Sequence, residues 1–198
     1  MFIGVVNLPT ALTLFGVLLG LAAVGFAQGG QVSWAVICLM YSGLCDLFDG
    51  VLARRMALSD EERAFGVQID TVADMASFGV VPAVVLLLLG SHAYPALAVY
   101  VLCAAIRLAW FNANTASTDA PITHYTGLPV TYAALVLPLV LMVSTDATQI
   151  TRPWLVQAAL WALAIAFVAK WPVPKPRGAA YLFFVLLAVG LTVYWCVR

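Results

Sequence analysis

The chain has 198 residues, 64% of them hydrophobic and 9% charged, and its nine basic and nine acidic residues leave no net charge. This composition is too apolar for a water-soluble fold of this length. Apolar runs of 18 or more residues recur, which predicts an all-α, polytopic membrane bundle of six to seven transmembrane helices. We expect residues 1–198 to form one domain without a nucleic-acid partner.

Seven apolar spans can be drawn in chain order. Each is bounded by a polar, glycine- or proline-containing turn, and together they cover residues 10–27, 32–52, 65–90, 96–111, 127–143, 153–169 and 178–197. The third span contains Pro82, which we expect to kink it. Residues 112–125 and 170–177 are predicted to be polar loops.

The basic residues predict the orientation in the membrane. If the loop after the second span is cytoplasmic, seven of the nine fall at or near the inner face: Arg54, Arg55, Arg63, Arg107, Lys170, Lys175 and Arg177. Only Arg152 and Arg198 fall outside. The positive-inside rule therefore predicts a cytoplasmic N-terminus.

Four acidic residues lie at the ends of the second and third spans. Asp46 and Asp49 are three residues apart and Asp70 and Asp74 are four apart, so each pair shares one helix face. The second span leaves the membrane where the third enters, so the two pairs can meet. Acids in membrane helices are costly, and four together need cations. This pattern predicts two Mg²⁺ or Mn²⁺ ions on carboxylate oxygens.

Small residues and an arginine flank these acids. Gly50, Ala53 and Gly66 leave room for a ligand to approach the backbone, and Arg54 can bind a phosphate through two N–H groups. We therefore expect a diphosphate beside the metal ions.

Together these residues form the pattern Asp46-x-x-Asp49-Gly50-x-x-Ala53-Arg54 … Gly66-x-x-x-Asp70-x-x-x-Asp74. It resembles the signature of the CDP-alcohol phosphotransferase family, although the segment between Arg54 and Gly66 is longer than the family typically has. Asn7 and Thr10 resemble the family's N-terminal pair on the nucleotide side.

The resemblance implies transfer of a phosphatidyl group from CDP-diacylglycerol to a hydroxyl, with release of CMP. It implies that the four aspartates bind two divalent cations and that Asp74 is also the general base. It assigns CDP or diphosphate binding to Asn7, Thr10, Gly50, Ala53, Arg54 and Gly66. It further implies a homodimer in the cell membrane, in contact with lipids. The positive-inside rule predicts that the four aspartates, and so the active site, face the cytoplasm.

Other segments resemble the phosphatidylserine synthase branch of that family. They occur in the expected order, at residues 69–83, 107–112 and 127–129. This branch uses L-serine, and Arg107 is the candidate partner for the serine carboxylate. Two alternatives remain open: another acceptor (glycerol 3-phosphate, inositol or inositol phosphate), and a cation transporter whose acids form a translocation site.

Overall fold

The chain folds into a bundle of apolar helices. A computed structural model describes residues 4–115, 124–145, 150–174, 176 and 178–197. The α-helices in these ranges are α1 (Leu8–Gln28), α2 (Val32–Arg55), α3 (Asp60–Asp74), α4 (Val81–Leu88), α5 (Tyr94–Thr115), α6 (Ala133–Ser144), α7 (Pro153–Val168) and α8 (Ala179–Val197). A π-helical turn (Met75–Val80) joins α3 to α4, and a 3₁₀ turn (Val130–Tyr132) precedes α6.

The helices have the length and composition of membrane spans. In the described part of the chain, five are long and apolar enough to cross a bilayer: α1, α2, α5, α8 and the continuous helix from α3 through α4. The apolar helices α6 and α7 are shorter. Large apolar side chains such as Leu18 and Leu182 are exposed on the outside, as lipid contact requires. The predicted all-α, multi-pass membrane fold is confirmed.

Two helix boundaries differ from the sequence prediction. Helix α5 continues to Thr115, so Arg107 lies within the helix and not near its end. Helix α6 begins only at Ala133, after a turn at Gly127, which has a φ of 80°, and the 3₁₀ turn. A side chain at Gly127 would place its Cβ 2.7 Å from the carbonyl oxygen of Phe167, so this turn requires glycine.

The third span contains a π-helical turn (Met75–Val80) just before Pro82, the residue expected to kink it. Pro82 has no amide N–H and cannot donate to the carbonyl of Phe78, four residues earlier. The hydroxyl of Tyr100 on α5 donates to that carbonyl instead. Both side chains are buried, and a backbone carbonyl in such a region needs a hydrogen-bond partner from the protein because water does not reach it. Tyr100 is that partner for Phe78.

Close packing between helices depends on small residues. Helix α1 packs along α2, and α2 also contacts α6 and α8. A Cβ at Gly43 on α2 would lie 2.6 Å from the Cβ of Ala134 on α6, so only glycine permits this approach. The largest fully buried side chains fill the interior of the bundle: Leu39, Met40, Phe78, Tyr100, Leu137, Phe167 and Trp195.

The two predicted polar loops pair with each other. Strand β1 (His124–Thr126) runs antiparallel to β2 (Pro172–Pro174). Next to this pair, the amide of Gly127 donates to the carbonyl of Trp171 at 2.8 Å. Residues 116–123 of the first loop lie outside the described residues, as do Lys175, Arg177 and Arg198 of the charge argument.

The long segment between Arg54 and Gly66 is largely helical. Helix α2 continues to Arg55, and α3 begins at Asp60 behind the N-cap Ser59. Ser59 and Glu62 form a capping box, with the amide of Ser59 donating to Glu62 Oε2 at 2.8 Å. Most of this segment thus belongs to α2 and α3, and α3 runs without a break from Asp60 to Asp74.

Candidate active site

Helices α2 and α3 bring the four predicted aspartates together. Carboxylate oxygens of Asp46, Asp49 and Asp70 all lie within 4.8 Å of one another. The carboxyl of Asp74 lies beside that of Asp46. Its Oδ1 is buried and has no hydrogen-bond partner among the described residues. Such clustered, unpaired oxygens are unfavourable in a buried place unless a cation or a substrate proton reaches them.

Two threonines lie beside these carboxylates. The Thr13 hydroxyl on α1 donates to Asp49 Oδ2 at 2.5 Å, and both side chains are buried. Thr131, in the 3₁₀ turn, lines the same cavity as Asp46. Neither threonine was singled out from the sequence. Thr13 follows Thr10 by three residues and so lies near it on α1, which is the signal that could have indicated it.

Two cavities flank the aspartates. The α5-side cavity has a volume of about 260 Å³ and lies between α2, α5, the 3₁₀ turn and α8. The α1-side cavity has a volume of about 300 Å³ and lies between α1, α2 and α3. Residues that line both form a shared wall: Asp49, Gly50, Arg54 and Asp70.

The residues expected to bind CDP line one cavity. All six face the α1-side cavity: Asn7, Thr10, Gly50, Ala53, Arg54 and Gly66. Asn7 also caps α1, since its Oδ1 accepts from the amide of Thr10 at 3.0 Å. A Cβ at Gly66 would meet no atom within 4 Å, so the backbone there is open to a ligand. One at Gly50 would lie 3.4 Å from Nη1 of Arg54.

Arg107 lies at the α5-side cavity and not among the CDP-side residues. It is 5% exposed, and its Nε donates to the carbonyl of Leu128 at 3.2 Å. Its guanidinium carbon lies 5.3 Å from the ring centroid of Phe111. Its Nη1 is buried without a hydrogen-bond partner among the described residues. A fixed, buried cation with a free N–H can bind an anion.

Aromatic residues that sequence reasoning did not identify complete the α5-side cavity. Tyr181 and Phe184 on α8 line it, as does Tyr125 on β1. Burial raises the pKa of the Tyr125 phenol, so this group stays protonated at neutral pH. Phe184 packs edge-on against Tyr132, with ring centroids 5.8 Å apart. No local motif predicted these contacts, because α8 is distant from the acids in sequence.

The carboxylates fit a divalent metal site. Hard cations such as Mg²⁺ and Mn²⁺ prefer carboxylate oxygens, and here three carboxylates converge while a fourth has an unpaired, buried oxygen. The Thr13 hydroxyl fixes one of the four, as outer-shell partners of metal ligands commonly do.

Comparisons with known proteins show the family of this chain. A family model described as CDP-alcohol phosphatidyltransferase matches residues 6–170. A Mycobacterium tuberculosis protein named CDP-diacylglycerol–serine O-phosphatidyltransferase is 31% identical over 135 residues, which cover 65% of this chain and 46% of that protein.

Two other relatives give a similar picture. The Mycobacterium leprae protein of the same name is 27% identical over 197 residues, covering 92% of this chain and 65% of that protein. An archaetidylserine synthase of Methanothermobacter thermautotrophicus is 29% identical over 143 residues, or 67% of this chain and 56% of that protein. The chain thus spans about half the length of the first of these relatives.

Proposed function

The chain belongs to the CDP-alcohol phosphatidyltransferase family, and from this premise we propose that it transfers a phosphatidyl group from CDP-diacylglycerol to L-serine. The products are phosphatidylserine and CMP. The observation that carries this proposal is the pair of cavities that meet at Asp49, Gly50, Arg54 and Asp70. One cavity then holds the nucleotide and the other the acceptor, with the diphosphate between them.

The α1-side cavity is the proposed nucleotide site. Its glycines admit a ligand close to the backbone, and Arg54 lies at the wall where the diphosphate is expected. The four aspartates are the proposed ligands of two divalent cations, Mg²⁺ or Mn²⁺. Such ions, when bound, neutralise the diphosphate and stabilise CMP as the leaving group.

Asp74 is the proposed general base. The serine oxygen attacks the phosphorus that carries the diacylglycerol group, and the bond from that phosphorus to the CMP oxygen breaks. Asp74 accepts the hydroxyl proton. In support, Asp74 lines the α5-side cavity but not the α1-side cavity, and its buried Oδ1 has no partner among the described residues.

Arg107 is the proposed partner of the serine carboxylate. Its unpaired Nη1 is held by hydrogen bonds from the rest of the guanidinium to the Gly127 and Leu128 carbonyls. The names of the relatives, which refer to serine and to archaetidylserine, also support a serine acceptor. Among the described residues, the α5-side cavity has only Arg54 and Arg107 as basic groups, which favours an acceptor without a phosphate.

We also propose that the active site faces the cytoplasm. Arg54, Arg55 and Arg63 lie at the α2–α3 junction, whereas Arg152 lies before α7 and donates to the carbonyl of Val143 at the other end of the bundle. The homodimer and the surrounding lipids remain predictions from the family resemblance, and the single domain remains a prediction from the size and composition of the chain.

The test is CMP release by the purified protein. We expect release with CDP-diacylglycerol, Mg²⁺ or Mn²⁺ and L-serine, and none with glycerol 3-phosphate, inositol or inositol phosphate. Asp74→Asn should abolish turnover and leave CDP-diacylglycerol binding largely intact. Folded protein that releases no CMP with any acceptor would contradict the enzyme assignment and return the transporter to consideration. Release of CMP only with another alcohol would contradict the assignment of L-serine as the acceptor.

A further inference from the structure

Helix α8 contributes a residue to the wall between the two cavities. The family model ends at residue 170, so α8 (Ala179–Val197) lies beyond it. Tyr181 lies in the first turn of α8 and lines the α5-side cavity. Its hydroxyl accepts a hydrogen bond from Nη2 of Arg54 at 3.3 Å. This contact joins α8 to the signature across 127 positions of sequence.

The direction of this hydrogen bond leaves a donor available. A tyrosine hydroxyl has one hydrogen and can also accept, whereas a guanidinium only donates. Because Arg54 provides the hydrogen of this bond, the Tyr181 hydrogen is not used in it. Among the described residues, no acceptor receives the Tyr181 hydroxyl hydrogen. Arg54 likewise has further N–H groups beyond the one directed at Tyr181.

An anion held by Arg54 therefore has a second donor beside it. Arg54 lines both cavities, and Tyr181 lies on the α5-side of Arg54. Phosphate oxygens accept several hydrogen bonds, and those to charged groups are the strong ones.

We propose that Tyr181 is a binding residue for the substrate diphosphate, donating its hydroxyl hydrogen to a phosphate oxygen that Arg54 also binds. This inference rests on the proposed function, because it takes the anion at Arg54 to be the diphosphate of CDP-diacylglycerol. It adds α8 to a site whose motif residues all lie in the first three helices. It also gives Tyr181 a role that phenylalanine, equal in shape but without a hydroxyl, cannot fill.

The test compares Tyr181→Phe with Tyr194→Phe. Tyr194 is on the same helix, and its hydroxyl donates to the carbonyl of Met142 at 3.2 Å, away from both cavities. Each variant thus loses one tyrosine hydroxyl from α8. The dissociation constant of CDP-diacylglycerol in detergent micelles with Mg²⁺ is measured, together with kcat and the KM for serine.

We expect Tyr181→Phe to bind CDP-diacylglycerol about tenfold more weakly, since a hydrogen bond to a charged group contributes a factor of that order. The KM for serine should change less than twofold, and Tyr194→Phe should bind as the wild type does. Equal affinities in the two variants would overturn the inference, and so would a fall in kcat with unchanged affinity. A wild-type protein that binds no CDP-diacylglycerol would instead contradict the proposed function itself.

Discussion

The hydrogen bond from Tyr100 to the Phe78 carbonyl should stabilise the bundle more than most hydrogen bonds between membrane helices. The perturbation is Tyr100→Phe, which removes the hydroxyl. The ring that packs against Phe167, with centroids 5.5 Å apart, is kept. Tyr100 is fully buried, so water does not replace the lost donor.

The expected loss of unfolding free energy depends on which partners the polar groups find once the helices have separated. Hydrogen bonds between membrane helices contribute about 0.6 kcal/mol on average and at most about 1.7 kcal/mol, because separated helices find other partners for their polar groups. The Phe78 carbonyl cannot find its usual partner within its own helix, since position 82 is proline. We therefore expect a loss near the upper end, about 1.7 kcal/mol.

Pro82→Ala provides the matched background. An alanine amide at position 82 can donate to the Phe78 carbonyl, so the Tyr100 hydroxyl is then needed less. In this background Tyr100→Phe should lower the free energy of unfolding by only about 0.6 kcal/mol. The difference between the two backgrounds gives a coupling energy of about 1 kcal/mol between positions 82 and 100.

The assay is reversible unfolding in mixed micelles titrated with SDS, carried out on the wild type, both single variants and the double variant. Two results would refute the reasoning. Equal costs of Tyr100→Phe in both backgrounds would mean that the missing proline N–H is irrelevant. A larger cost in the alanine background would mean that the hydroxyl acts through another contact.

Three further predictions use other parts of the structure. Gly127→Ala should cost about 1–3 kcal/mol in the same unfolding assay, because of its positive φ and the nearby Phe167 carbonyl; an unchanged midpoint would contradict this. Thr13→Val should weaken Mn²⁺ binding, measured by calorimetry, at least tenfold, because Asp49 loses its hydrogen-bond donor. Thr13→Ser keeps the hydroxyl and should bind Mn²⁺ as the wild type does. Arg107→Ala should raise the KM for serine far more than that for CDP-diacylglycerol; equal effects would exclude Arg107 from the acceptor site.

The convergence of the aspartates was predictable because it depends on local geometry. Residues three or four apart share a helix face, and two consecutive spans joined by a short segment must be neighbours. Asp46, Asp49 and Asp70 accordingly meet within 4.8 Å. The long apolar runs likewise determine the class of fold, since a bilayer requires the backbone groups to pair within each helix.

Contacts that depend on distant partners could not be predicted. The sequence indicated a kink at Pro82, but not the π-helical turn before it or the hydrogen bond to the Phe78 carbonyl in that turn from Tyr100, 22 positions away. The pairing of Thr126 with Pro172 could not be predicted either. Each strand has only three residues, which is too short for a recognisable strand pattern in the sequence. The contact of Tyr181 could not be predicted for the same reason, since its partner is Arg54, 127 positions away.

The shared wall has a consequence for how such proteins diverge. Under the proposed assignment, the signature residues that recognise the nucleotide come from α1, α2 and α3. The surface that meets the alcohol comes largely from later segments, including Arg107, Thr131 and Phe184. Substitutions in these later segments can change the accepted alcohol while the nucleotide half stays intact. Enzymes that make different head groups can thus share the same nucleotide-binding residues in α1, α2 and α3.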